Sequence, residues 1–284
     1  MPEPAPDPVV PATALHPKTE GGPARSTVTA VRVQALWRHP VKSMQGERVE
    51  AVQVHERGVA GDRRYGVLDR AGGTIMSAKR WPQLLEARAL QTGPELVVRL
   101  PNGETVLGLG AGSDAALSAW LDRSVHLQEA TDETAGTYES RVDPTDDESE
   151  VVQWTGPEGS FVDSAPVHLL TTASLAHMTA TAPPHAWDVR RFRPNVLIDV
   201  DDAEGFVEDD WVGATLYVGD VELHVTKRAD RCAMIGREQP DGLRRDTGVI
   251  RALAETHDLC LGVMAEVRGP GPVRVGDAVR VERA

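Results

Sequence analysis

The chain has 284 residues, 40% of them apolar and only 4% aromatic, with a formal net charge of −13. That length suits two domains better than one, with cores built on Val, Leu and Ala rather than on rings. The acidic total excludes sequence-independent binding to DNA or RNA, which needs a basic face, and adsorption to an anionic membrane.

Residues 1–27 hold seven prolines before position 24 and read as a disordered, polyproline-like tail. They show no basic start followed by an apolar block, so a secretory signal is not expected. A first half, residues 28–128, opens with an alternating strand, "VRVQALWRHPV". Strands are expected at "RVEAVQVHE", "RRYGVLDR" and "GTIMSAK", then a hairpin turning at Asn102-Gly103. "SDAALSAWLDRS" predicts a helix with Ser113 as its N-cap. Residues 129–150 carry nine acids and one Arg, and read as a solvated linker or loop. In the second half, residues 151–284, "SAPVHLLTTASLAHMTATA" passes from an apolar run into a helix near Thr172. "PNVLIDV" reads as a strand, "ATLYVGDVELHVTKR" as a hairpin around Gly219-Asp220, and "TGVIRALAETHD" as a helix. Two closing strands follow. Short strands punctuated by Gly and Pro give a mainly β class with a few short helices, in barrel or sandwich form. No run of 18 apolar residues is present to span a membrane.

Two cysteines make no disulfide framework, and free thiols place the chain in a reducing compartment, the cytoplasm. Cys260, inside "DLCLGV", reads as core. Cys232 lies in "KRADRCAMIGREQ", crowded by Lys227, Arg228 and Arg231, and cations favour a thiolate. Neither a CxxC nor a His pair supports zinc there. Two readings stay open: a nucleophilic or sulfur-carrying thiolate, or one protein ligand to a metal that a cofactor otherwise holds. Basic residues also gather at Arg38/Lys42, Arg63/Arg64 and Arg190/Arg191/Arg193, each near a strand end. Four such loops suit one anionic ligand with several oxygens, or else four separate surface ion pairs.

Seven segments appear in order: "LWRHPVKSMQGE", "RGVAGDRRYGVLD", "SAKRWPQLL", "FVDSAPVHLLTTASL", "RRFRPNVLIDV", "GFVEDDWVG" and "RCAM". Together they resemble MOSC proteins with an N-terminal MOSC β-barrel domain, similar to the amidoxime-reducing component family and its bacterial stand-alone members. The resemblance implies a molybdenum cofactor (Mo-molybdopterin), whose pterin ends in a phosphate. It implies Cys232 as the protein's metal ligand and catalytic residue. It also implies cofactor contacts from Lys42, Ser43, Arg63, Ser164, Arg193, Asn195 and Arg231. Where mitochondrial members read "DTS", this chain reads Asp163-Ser164-Ala165 and lacks one hydroxyl. The implied activity is oxidoreduction, converting an N–O bond to N–H plus water on a small N-hydroxylated substrate. Electrons would come from a separate ferredoxin- or flavin-type reductase, since two cysteines cannot hold an iron–sulfur cluster. A Cys232 persulfide carrier and a non-catalytic cofactor carrier are the competing readings. Arg64, Arg190 and Arg191 are left between guiding substrate and pairing with acids.

Overall fold

The computed structural model describes residues 31–200 and 203–283, so the proline-rich tail lies outside the described residues. The first half contains β1 (Val31–Arg38), β2 (Glu47–Val49), β3 (Ala51–His55), β4 (Gly58–Val59) and β5 (Tyr65–Asp69). It continues with β6 (Arg88–Thr92), β7 (Glu95–Arg99), β8 (Thr105–Leu107), α1 (Ala111–Leu121) and β9 (Val125–Glu129). A long hairpin follows, β10 (Ala135–Arg141) and β11 (Val151–Glu158). The second half holds β12 (Val167–Thr171), α2 (Thr172–Thr181), α3 (Val189–Phe192), β13 (Val196–Val200), β14 (Thr215–Val218) and β15 (Val221–Asp230). It ends with α4 (Gly248–His257), β16 (Cys260–Gly269), β17 (Gly271–Arg274) and β18 (Val279–Glu282). The mainly β class with short helices is as expected.

Eight strands form one sheet in the order β18-β14-β15-β16-β12-β13-β1-β2. All its pairings are antiparallel except β12 with β13. The sheet curls until β1 approaches the segment before β18, where Val33 N donates to Asp277 O at 2.8 Å. Alternation along the strands explains how it packs, because successive side chains point to opposite faces. On β13, Val196 and Ile198 enter the core enclosed by the sheet, with Leu36, Leu169, Leu223 and Val263. Leu197 points the other way and meets Leu170, Met178, Phe192 and Leu253 beneath the helices. Strands β3 and β4, paired with β17, add Val52, Val54 and Val59 to the core enclosed by the sheet, whereas β5 to β9 and α1 enclose a separate one around Met44, Val67, Leu84, Val98, Leu117 and Leu127.

Several local expectations need correction. "GTIMSAK" forms no strand; Ile75 makes a single bridge to Leu68, and Ser77 carbonyl accepts from Trp81 N in a turn. Ser113 lies inside α1, whose N-cap is Gly110, and its hydroxyl donates back to Gly108 O at 2.9 Å. The acidic stretch supplies one whole strand of the β10–β11 hairpin, because its apolar residue Tyr138 is fully buried against Phe161 and Ile75. Three strands close the chain rather than two, since Pro270 separates β16 from β17. Helix α2 starts where the sequence placed it, with Thr171 Oγ1 accepting from Ser174 N at 3.1 Å.

Candidate functional site: a cationic pocket around Cys232

A cavity of about 400 Å³ opens between the hairpin, the loops after β1 and β5, and the ends of β13 and β15. All eight residues that the family resemblance singles out line it. Among its described lining residues are seven Lys or Arg and only two carboxylates, Asp163 and Asp230. In a chain of charge −13 this is a local inversion, and such a pocket draws anions.

Backbone shape is the first thing that builds it. Ser43, Arg63 and Arg193 have φ of 69°, 45° and 54°, the left-handed region that side chains other than glycine rarely adopt. Such strain gathers where surrounding contacts over-determine the chain. Ser43 Oγ accepts from Ala78 N at 2.9 Å, and Arg63 N donates to His39 O at 2.7 Å. Arg193 ends α3, a single turn opened by Asp188, whose Oδ1 accepts from Arg190 N at 2.9 Å.

On one side of the pocket, charges are closed upon one another. Lys42 Nζ donates to Asp163 Oδ1 at 2.6 Å and to Phe161 O at 2.8 Å. Lys79 Nζ lies 3.2 Å from Asp163 Oδ2. Each ammonium also sits over a ring of the hairpin, Lys42 at 3.8 Å from the Tyr138 centroid and Lys79 at 4.0 Å from Trp154. Burial, countered by Asp163 and reinforced by the Lys79 charge, lowers the Lys42 pKa to about 8. Burial also works against Lys79, but the Asp163 carboxylate and then the nearby Cys232 side chain outweigh it and hold its pKa above the ordinary value. Burial alone would raise the Asp163 carboxyl, yet Lys42 and Lys79 hold it far below the usual range.

On the other side, donors are left open. Arg193 Nη1 donates to Met44 O at 2.7 Å, while its buried Nη2 has no partner. Asn195 Oδ1 accepts from His168 N at 3.1 Å, and its buried Nδ2 is unpartnered. Arg231 Nη2 donates to Phe192 O at 2.6 Å and Nη1 lies 3.3 Å from His168 Nε2, leaving buried Nε unused. Burial first, then the Arg231 and Arg63 charges, push the His168 pKa well down, so the neutral ring accepts from Arg231 at Nε2. Gly262, at φ 82°, makes room for it, since a Cβ there would come within 2.6 Å of His168 Nε2. Burial and the Arg63 charge bring Arg193 down to about 9, which leaves it charged at neutral pH.

Cys232 lies half-buried where β15 ends, just before a 3-10 turn, Ala233–Gly236. Arg191, 1% exposed, staples that turn by donating to Ile235 O at 2.8 Å and Arg237 O at 3.1 Å. It also donates to Ala186 O and Arg244 O, so it neither guides substrate nor pairs with an acid. Arg190 pairs with Asp188 and Arg64 with Glu129, which settles both for ion pairing outside the pocket wall. Lys227 lines the pocket but pairs with Asp230 at 2.8 Å, while Arg228 turns to Asp258. Ser164 and Ala165 line the pocket, with Ser164 exposed. Cys260 is buried, its thiol pKa raised by burial, and its Sγ faces Asp230 Oδ1 at 3.7 Å.

Sequence reasoning missed Lys79, His168, Tyr138 and Trp154. Lys79 stands in the quoted segment "SAKRWPQLL" and His168 in "FVDSAPVHLLTTASL", the signals available, whereas the two rings fall in or beside the stretch read as a linker.

A mainly β protein with a cationic, thiol-bearing pocket is thus the class that fold and site define. The chain belongs to the MOSC family: residues 30–154 match the MOSC N-terminal beta barrel domain and residues 157–280 the MOSC domain. It is 22% identical over 288 residues to the mitochondrial amidoxime reducing component 2 of Bos taurus, covering 87% of this chain and 82% of that protein. Among solved structures, the YUAD protein from Bacillus subtilis is 11% identical with a TM-score of 0.46, covering 90% of this chain and 97% of that one. YiiM from Geobacillus stearothermophilus is 12% identical with a TM-score of 0.32, covering 42% and 55%. Among the described residues, no helix is long and apolar enough to cross a membrane.

Proposed function

We propose that the protein is a molybdenum-cofactor-dependent oxidoreductase that reduces small N-hydroxylated compounds. The observation that carries this reading is the set of three buried donors without partners, on Arg193, Asn195 and Arg231, in one cavity with Cys232. An unmade hydrogen bond on a buried donor costs about 1–3 kcal/mol, so such donors mark the place of an acceptor-rich ligand. A pterin phosphate supplies those acceptors, and a soft thiolate suits a metal whose other ligands are also sulfur. The relative's name supports the same direction.

In this reading Cys232 Sγ is the protein's metal ligand, and Arg193, Asn195 and Arg231 hold the phosphate end. Arg63 supports Arg193 by donating to its carbonyl at 3.2 Å, while Ser43 and Ser164 offer hydroxyls on the pocket wall. When bound, the cofactor would supply a two-electron redox centre for reductive cleavage of an N–O bond. The overall change consumes two electrons and two protons and yields N–H and water. Lys42 Nζ, protonated below about pH 8 and bonded to Asp163 Oδ1, keeps an exchangeable proton on the wall. Electrons come from a separate ferredoxin- or flavin-type reductase in the cytoplasm.

The test is metal and pterin analysis of the chain made in a host with an intact cofactor pathway, with benzamidoxime reduction assayed using an artificial donor. Near-stoichiometric molybdenum and turnover are expected, both lost in Cys232→Ser. A variant that keeps its molybdenum and activity refutes the ligand assignment. A persulfide on Cys232 in a metal-free protein favours the sulfur-carrier reading instead.

A further inference from the structure

Both carboxylates that line the pocket are already bonded to lysines of the protein itself. Asp163 presents Oδ1 to Lys42 at 2.6 Å and Oδ2 to Lys79 at 3.2 Å, so each oxygen already has a lysine partner. Asp230 gives Oδ2 to Lys227 at 2.8 Å and Oδ1 to the Cys260 thiol at 3.7 Å. The aromatic faces follow the same rule. Lys42 stands over Tyr138, Lys79 over Trp154, and the Arg231 guanidinium lies 5.6 Å from the centre of Phe192. The cofactor phosphate draws on Arg193, Asn195 and Arg231, none of which bonds to either carboxylate. On the wall around Lys42 and Lys79 a cationic guest therefore meets ammonium groups and no carboxylate that lacks a lysine partner, and like charges in a partly dry site repel strongly.

We propose that the pocket selects neutral and anionic N-hydroxylated substrates and turns away cationic ones. This rests on the reductase reading above, and it adds the charge class of the substrate to it. Lys79 is the specificity-determining residue, because it closes both Asp163 Oδ2 and the Trp154 face at once. Removing its charge would give a cation one carboxylate oxygen and one ring to bind.

Three probes differing in one substituent test this on the cofactor-loaded protein: benzamidoxime, its 4-carboxylate and its 4-trimethylammonium derivative. The expected kcat/KM falls in the order carboxylate, parent, ammonium, with at least about tenfold between the ends at low salt. The gap narrows as salt screens it. In Lys79→Gln it narrows further, with the ammonium compound gaining most. Equilibrium dialysis of the same three compounds reads their affinities independently of turnover, and the same order is expected. Equal affinities, or tighter binding of the ammonium compound, overturn the proposal. If none of the three is reduced, the reductase reading fails on its own, and the dialysis order still decides the charge preference.

Discussion

The two sides of the pocket treat their charges in opposite ways. The side built from Lys42, Lys79 and Asp163 closes three charges into a compact cluster beneath the Tyr138 and Trp154 rings. The side built from Arg193, Asn195 and Arg231 is tethered through some of its atoms and keeps one buried donor open on each residue. A closed cluster satisfies its charges within the protein itself, whereas open donors cost stability until a ligand satisfies them. Similar residue types thus do different work according to whether their partners come from the chain or from outside it.

The largest expected effect lies on the open side. Arg193→Ala removes a buried, charge-assisted contact, and cofactor retention on dialysis should weaken by about a hundredfold or more, roughly 3–5 kcal/mol. The unloaded variant should melt only a few degrees below the parent, because losing the bond to Met44 O is partly offset by removing a buried charge. A large drop in its melting temperature with unchanged cofactor content would reverse the assignment of the two sides.

On the closed side, Lys42 gives a pH signature. Its folded-state pKa of about 8 lies below the ordinary lysine value, because burial outweighs Asp163. Between about pH 8 and pH 10 the unfolded chain holds a proton that the folded chain has released, so folding stability gains as pH rises. Measured against Lys42→Gln by urea unfolding, that gain should approach roughly 3 kcal/mol at most. A flat difference across this range would mean that Lys42 is not desolvated. Asp163→Asn has the smallest expected effect. It leaves two buried ammonium groups without a counter-ion, but the carboxylate itself is 45% exposed to the cavity. Solvent screening brings the expected loss to roughly 1–2 kcal/mol, read from the same unfolding experiment.

The open side was legible in the sequence and much of the closed side was not. Arg193, Asn195, Arg231 and Cys232 sit in short segments whose residue order carries the family resemblance, and the fold brings them into one cavity. Lys42 was legible for the same reason. The clamp that holds it depends on Asp163, 121 residues away, and on rings from a hairpin that local acidity disguised. The nine acids of residues 129–150 mask one buried side chain, Tyr138, with Gly136 the other buried position of β10, and periodicity carries no weight when a single side chain anchors the element. The β12 segment was readable as an apolar run and β13 as a strand because both of their faces are largely buried. Strand β1 was readable as a strand. Its neighbour was not, because pairing with β13 spans more than 150 residues and leaves no local trace.

That pairing bears on how the chain can be cut. Although β1 precedes the segment matched to the first domain's remaining strands, it fills the place beside β13 in the sheet of the second half. A fragment beginning after the hairpin would carry Val196–Val200 as a bare edge, with its backbone amides and carbonyls offered to any passing chain. Unprotected apolar edges of this kind recruit other strands and drive aggregation. The second half is therefore a poor candidate for expression alone, and a soluble version would need the Val31–Arg38 segment grafted back onto it.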